Sequence, residues 1–152
     1  MEKRFAIRQV RRHDLDRILE IEAASFAADA YDRNLFAEYT RKCGGLFLVA
    51  DWGSKVRAYS IAVLSPRGRG NRAELVSLAV DPAFLGKGAA SALMDSTLRR
   101  LRRRRVTRLG LMVNVMNFRA LGFYKKYGFR KIRRVANYYE NGADGISMAK
   151  DL

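Results

Sequence analysis

An apolar run, an Asp-Pro turn and a glycine loop follow one another in LVSLAVDPAFLGKGAAS, Leu75–Ser91, and lead into an amphipathic segment. Residues in that order fold as a strand, a tight small-residue loop and a helix. The first N–H groups of a helix lack intrahelical acceptors, and the helix dipole places partial positive charge beside them. Gly86-Lys87-Gly88-Ala89-Ala90 therefore reads as a cradle for an anion, and its geometry suits a phosphate-bearing ligand.

The rest of the chain switches between strand and helix spacing. Phe5–Val10 reads as a short strand, and Leu15, Ile18, Leu19 and Glu22 within Asp14–Ala24 fall at helical intervals. A second helix is expected from an Asp32 cap to Lys42, stopping at Gly44-Gly45. Leu46–Asp51 and Val56–Leu64 form an antiparallel hairpin across Trp52-Gly53-Ser54-Lys55, and Ser65–Arg72 is a basic loop. Ala73–Val80 is nearly continuous in apolar residues, which predicts a strand buried at the centre of a sheet. After the glycine loop, Ala89, Ala90, Leu93, Met94, Thr97 and Leu101 mark one face of a helix of about four turns. Arg108–Val113 is a further strand, Asn117–Lys126 a short helix ending at Gly128, and Phe129–Val135 and Gly145–Lys150 the last two strands. The order β-α-α-β-β-β-α-β-α-β-β predicts an α/β chain with one mixed sheet of about seven strands and helices on both faces. A chain of 152 residues without a low-complexity linker fits a single domain over residues 1–152.

No apolar run approaches the roughly 18–20 residues of a membrane span. The segment MEKRFAIRQVRR lacks the apolar core of a secretory signal, so a soluble cytoplasmic protein is expected. Cys43 has no second cysteine to pair with, and His13 is the only histidine, so no metal site is expected. At a helix end, with no base in view, Cys43 reads as a structural thiol.

The formal net charge is +15, and Arg99-Arg100-Leu101-Arg102-Arg103-Arg104-Arg105 carries six of the positive charges. The first reading of this run is a solvated helix end whose cations complement the helix dipole. Steering of a polyanionic cofactor or an acidic substrate comes second. A contact with RNA or DNA comes third, since neither an aromatic-rich RNA-binding signature nor a helix-turn-helix pattern accompanies the charge.

Three segments carry a family resemblance: LAVDPAFLGKGAASALM at Leu78–Met94, NFRALGFYKKYGF at Asn117–Phe129, and Tyr138-Tyr139 followed by ADGISM at Ala143–Met148. Together they resemble the GNAT superfamily of acetyl-CoA-dependent N-acetyltransferases, and within it the RimI-like protein N-terminal acetyltransferases. The spacing N-x-x-A-x-x-x-Y-x-x-x-G-F behind such a loop is specific, whereas a glycine loop alone is weak evidence. The resemblance implies a mostly antiparallel sheet splayed between its fourth and fifth strands, and acetyl-CoA as cosubstrate with no metal. It implies that the amides of Gly86, Lys87, Gly88, Ala89, Ala90 and Ser91 hold the pyrophosphate. It further implies that the pantetheine arm lies along Leu78-Ala79-Val80 as an added strand, and that Asn117 contacts the cofactor. An N-cap is the plain alternative for Asn117, and both roles are compatible. Leu85 stands where the family usually carries Gln or Arg, so one polar contact is missing, and Lys87 supplies charge nearby.

For catalysis, the resemblance makes Tyr124 the general acid for the departing CoA thiolate. A phenol with a pKa of about 10 is protonated at neutral pH and can donate to sulfur. Aromatic packing beside Tyr127 and Phe129 is the alternative. Met112 occupies the strand position where the RimI-like pattern has a glutamate, and methionine cannot take a proton. Glu74 instead matches the strand glutamate that serves as base in histone-type enzymes; a charged strand end is the alternative. An α-amine, with a pKa of about 7.7–8.0, needs less help from a base than a lysine near 10.4. Tyr138 and Tyr139 match a tyrosine pair that holds the peptide backbone, with cross-strand packing as the alternative, and Tyr31 is a looser match for the same wall.

The expected function is acetyl transfer to the N-terminal α-amine of a protein or peptide by direct attack in a ternary complex. Two rivals stay open: an enzyme for a small amine, amino acid or lysine side chain, and a basic RNA- or ribosome-associated module that keeps the fold. The charge also suits an acidic or ribosomal partner, and no membrane is expected.

Overall fold

The computed structural model describes residues 5–26, 32–65 and 71–152. Tyr31 and residues 66–70 of the basic loop lie outside them. The elements are β1 (Ala6–Gln9), α1 (Leu15–Phe26), α2 (Arg33–Lys42), β2 (Phe47–Trp52), β3 (Lys55–Leu64), β4 (Arg72–Val80), α3 (Ala89–Arg103), β5 (Arg108–Asn114), α4 (Phe118–Lys126), β6 (Arg130–Val135) and β7 (Gly145–Asp151). Their order is the one read from the sequence. The strands form one sheet in the order β1-β2-β3-β4-β5-β7-β6, antiparallel at every step except β4–β5.

Side-chain alternation along β2 assigns the helices to faces. Phe47 meets Phe36 of α2 at a ring separation of 6.3 Å, and Phe36 meets Tyr59 edge-on at 5.6 Å. Leu48 and Ala50, one residue out of phase, pack with Ala89 and Leu93 of α3. Thus α1 and α2 cover one face and α3 the other. Tyr127, following α4, reaches α3 by donating from its hydroxyl to Ser91 O at 3.1 Å and Asp95 Oδ1 at 2.8 Å. Ile18, Leu93 and Leu101 are fully buried, and each such side chain contributes about 1.5–3 kcal/mol.

Local chemistry sets the boundaries. The Asp32 side chain caps α2 by accepting from Leu35 N at 2.9 Å. Cys43 ends that helix, and burial pushes its thiol up to about 11, as befits a structural residue. The β2–β3 turn is shorter than the four-residue connection read from the sequence. Gly53 and Ser54 both take positive φ, at 64° and 62°, and this two-residue turn matches the twist of the flanking strands.

Strand β4 also departs from expectation. It is central but not buried on both faces: Ala73, Leu75, Ser77 and Ala79 are buried, while the residues between them are partly or fully exposed. The sheet also splays along this strand. Strands β4 and β5 pair only over Arg72–Leu75 and Arg108–Leu111, and no pairing with β5 extends beyond Leu75. A bulge accompanies it, because Ile61 pairs with Ser77 and the next residue, Ala62, pairs with Leu75. The extra residue, Val76, resets the alternation. Ser77 and Glu74, an odd number of positions apart, consequently both face the α1 side.

Candidate active site

The splay exposes the β5-facing backbone edge of Leu78, Ala79 and Val80, whose other edge is paired with Ser60, Tyr59 and Ala58. An extended chain can add to such an edge through main-chain hydrogen bonds. At its end, Asp81 accepts from Ala83 N at 3.1 Å and is held by Arg17, which fixes the turn into the glycine loop.

The loop itself fits a phosphate. Gly86 and Gly88 sit at φ 77° and 93°, and a Cβ at either would project into open space, the volume an anion would need. Gly88 caps α3 without any side-chain hydrogen bond, leaving the first amides of the helix to an outside acceptor. Leu85 is 44% exposed beside this cradle. The Lys87 ammonium stands 6.0 Å from the Trp52 ring.

Across the splay, the Asn117 side chain accepts from Ala120 N at 3.1 Å, so it is the N-cap of α4. Its NH2 group has no partner among the described residues. Tyr124 is 8% exposed and packs against Phe123 and Phe129, each with ring centres 5.5 Å away. Burial, and secondarily the neighbouring Tyr139, push its phenol well above the ordinary value of 10.0. Among the described residues its hydroxyl makes no hydrogen bond. A protonated donor is thus poised without a competing acceptor.

Glu74 pairs in register with Gly110, and Met112 follows two residues along the same face of β5. The Glu74 carboxylate is solvent-accessible yet crowded by protein, and that partial burial raises its pKa above the ordinary 4.5. It lines a cavity of about 400 Å³ whose walls include Val63, Arg72, Arg108, Gly110 and Ile132. The sequence had not indicated Gly110 or this cavity. An isolated glycine in a strand pattern was the available sign of a close approach.

The two tyrosines of the β6–β7 connection sit beside these groups. A Cβ built on Gly145 would fall 3.2 Å from Tyr138 Cβ and 2.8 Å from Met112 Sδ, so Tyr138 and Met112 both border Gly145 on the same face. The Tyr138 and Tyr139 rings meet edge-on at 5.0 Å. Asp144 staples the connection, accepting from Asn137 N at 3.0 Å and Arg134 Nε at 2.6 Å. These bonds hold its carboxyl below the ordinary range.

Known proteins share this architecture. The family model described as "Acetyltransferase (GNAT) family" matches residues 8–129. An N-alpha-acetyltransferase of Saccharolobus solfataricus is 27% identical over 161 residues, covering 97% of this chain and 93% of that protein. A [ribosomal protein bS18]-alanine N-acetyltransferase of Salmonella typhimurium is 29% identical over 139 residues, covering 90% of each. Among solved structures, Ard1 from Thermoplasma volcanium superposes with a TM-score of 0.91 at 27% identity over 99% of both chains. The splayed sheet, the glycine cradle and these matches agree: the chain belongs to the acetyltransferase (GNAT) family and is an acetyl-CoA-dependent N-acetyltransferase.

Proposed function

We propose that this enzyme is RimI-like and acetylates the N-terminal α-amine of a protein or peptide by direct attack in a ternary complex. The observation that carries this reading is that Tyr138 and Met112 both border Gly145 on one face, with the Tyr139 ring edge-on to Tyr138 at 5.0 Å. In this reading the two tyrosines form a wall whose hydroxyls would partner an extended peptide backbone. The similarity to N-alpha- and bS18-alanine acetyltransferases supports the same acceptor class. A cytoplasmic location goes with this reading, because new protein N-termini first become available there.

The amides of Gly86–Ser91 and the free edge of Leu78–Val80 would hold the diphosphate and pantetheine, with Asn117 contacting the arm from across the splay. Lys87 adds charge at the cradle. When bound, acetyl-CoA supplies a thioester carbon that is open to an amine. Glu74 takes the proton released as the N–C bond forms, directly or through water. Tyr124 Oη donates its proton to the sulfur as the C–S bond breaks.

The test is a panel of free N-terminal peptides, the same peptides N-terminally blocked but carrying lysine, polyamines and free amino acids, with products located by mass spectrometry. Acetylation confined to free N-termini is expected. Acetylation confined to lysine or to small amines overturns the reading.

A further inference from the structure

The arginine run at the end of α3 exceeds what its local role requires. No Asp or Glu occurs anywhere from Ser96 to Tyr139. Arg99 and Arg102–Arg105 are exposed, and none of them has an ion-pair partner among the described residues. Arg100 donates to Gly45 O at 3.0 Å and Ser96 Oγ at 3.3 Å, and the Arg104 guanidinium lies against Gly44 and Gly45 without a hydrogen bond among the described residues. The helix dipole is felt within its last turn, so one or two cations suffice there. Further like charges at i and i+4, such as Arg99 and Arg103, are destabilising.

The backbone adds an independent sign. Val106 N donates to Leu101 O at 3.0 Å and Arg105 N to Arg102 O at 3.0 Å, the bond pattern of a Schellman helix end. Its left-handed position, which strongly favours glycine, is occupied by Arg105 at φ 60°. Asn71 then holds Arg105 O through its side-chain amide at 3.1 Å and accepts from Thr107 N at 2.9 Å. This brings the run against Arg72, which pairs in register with Arg108; neither of these two has a partner among the described residues, and Asp151 beside Arg108 is bound by Arg130 instead.

Two strained or repulsive arrangements thus keep guanidinium groups concentrated at one pole. The acetyl-CoA cradle does not account for them. Helix α3 has 15 residues and separates the cradle from this pole by its full length, about 22 Å, nearly three times the ~8 Å screening distance at physiological salt.

We propose that this pole binds the phosphate backbone of single-stranded RNA, as a site separate from the acetyl-CoA cradle. Guanidinium forks bind phosphate oxygens in pairs, and clustered arginines match the closely spaced charges of a nucleic-acid strand. With no base-reading aromatics in the cluster, affinity would be independent of sequence and governed by counterion release.

The test is fluorescence anisotropy of the intact enzyme with a labelled mixed-sequence RNA of about 20 nucleotides, longer than the ~4–16 nucleotides of a typical site. Four or five phosphate contacts predict a slope of log Kd against log salt of about 3. Arg105→Gly, which relieves the backbone, should raise Tm while lowering the slope by about 0.7 and weakening binding severalfold. Arg102→Gln/Arg103→Gln/Arg105→Gly should lower the slope by about 2 and weaken binding about tenfold or more, with the thermal shift by acetyl-CoA unchanged. No salt-dependent binding, or binding equal in wild type and both variants, overturns the proposal. Poly-glutamate displacing RNA at equal charge concentration also overturns it, by marking the pole as a surface for acidic protein.

Discussion

The Glu74 carboxylate occupies the space where a side chain on Gly110 would begin: a Cβ built there falls 2.9 Å from Glu74 Oε2. The atom that would be met is the far end of a flexible side chain, so Gly110→Ala moves the carboxylate and leaves the strand intact. Gly110 has no positive φ to forfeit, and alanine reduces the entropy of the unfolded chain, worth about 0.4–1 kcal/mol where the conformation suits it. Gly110→Ala is therefore expected to keep or raise Tm while lowering turnover about tenfold or more. Steady-state rates at saturating acetyl-CoA check it, and unchanged turnover removes Glu74 from the reaction.

Glu74 also predicts a pH dependence. As base it must be ionised, so turnover should rise with pH through its pKa, which lies above the ordinary 4.5 because burial disfavours the charge. For stability the sign is opposite. Between the ordinary and the raised pKa the native state binds more protons than the unfolded chain, so stability falls as pH rises through that window. Glu74→Gln should accordingly melt higher than wild type at neutral pH, with the gain vanishing below the ordinary value, and should lose the acidic limb of the rate profile. Its turnover is expected to fall by about 10²–10⁴-fold.

Tyr124→Phe removes one oxygen from a buried aromatic cluster and keeps the packing with Phe123 and Phe129. Since the hydroxyl makes no hydrogen bond among the described residues, the variant should melt within a degree or two of wild type. Turnover should fall by about 10²–10⁴-fold with acetyl-CoA affinity unchanged, as expected for loss of a proton donor. Burial holds the phenol protonated beyond its ordinary 10.0, so no loss of rate below that pH is assigned to Tyr124. Unaltered single-turnover rates in the phenylalanine variant would exclude it as the acid.

The elements and their order were legible because period, caps and glycines are local signals. Asp32, Asn117 and the Gly86–Gly88 loop each act on backbone within a few residues. The facing of Glu74 was not legible. Strict alternation would put Glu74 and Ser77 on opposite faces, and only the bulge at Val76, a property of the β3–β4 register, turns both to the α1 side. The cavity beside Glu74 was hidden for the same reason, since Val63, Arg108 and Ile132 come from three separate strands. Tyr138 and Tyr139 could be picked out as a pair, but the place of Tyr138 with Met112 around Gly145 depends on the path of the β6–β7 connection, which Asp144 fixes.

The glycine cradle allows changes of opposite sign in one assay. At φ 93° a β-branched residue is strained, and its side chain would enter the open volume beside the α3 amides. Gly88→Val should therefore lower the Tm of the free enzyme, with a backbone cost of roughly 1–2 kcal/mol, and abolish the thermal shift produced by acetyl-CoA. Leu85, 44% exposed at the same loop, has apolar surface where a cation could meet a phosphate. Leu85→Arg adds a charge-assisted hydrogen bond, typically about 1.5–3 kcal/mol before the entropy of ordering the side chain is subtracted. Isothermal titration should show acetyl-CoA bound about tenfold more tightly by this variant, with the gain shrinking as salt rises. If Gly88→Val binds acetyl-CoA as wild type does, the diphosphate does not lie on these amides. If Leu85→Arg gains nothing at low salt, residue 85 does not face the phosphates.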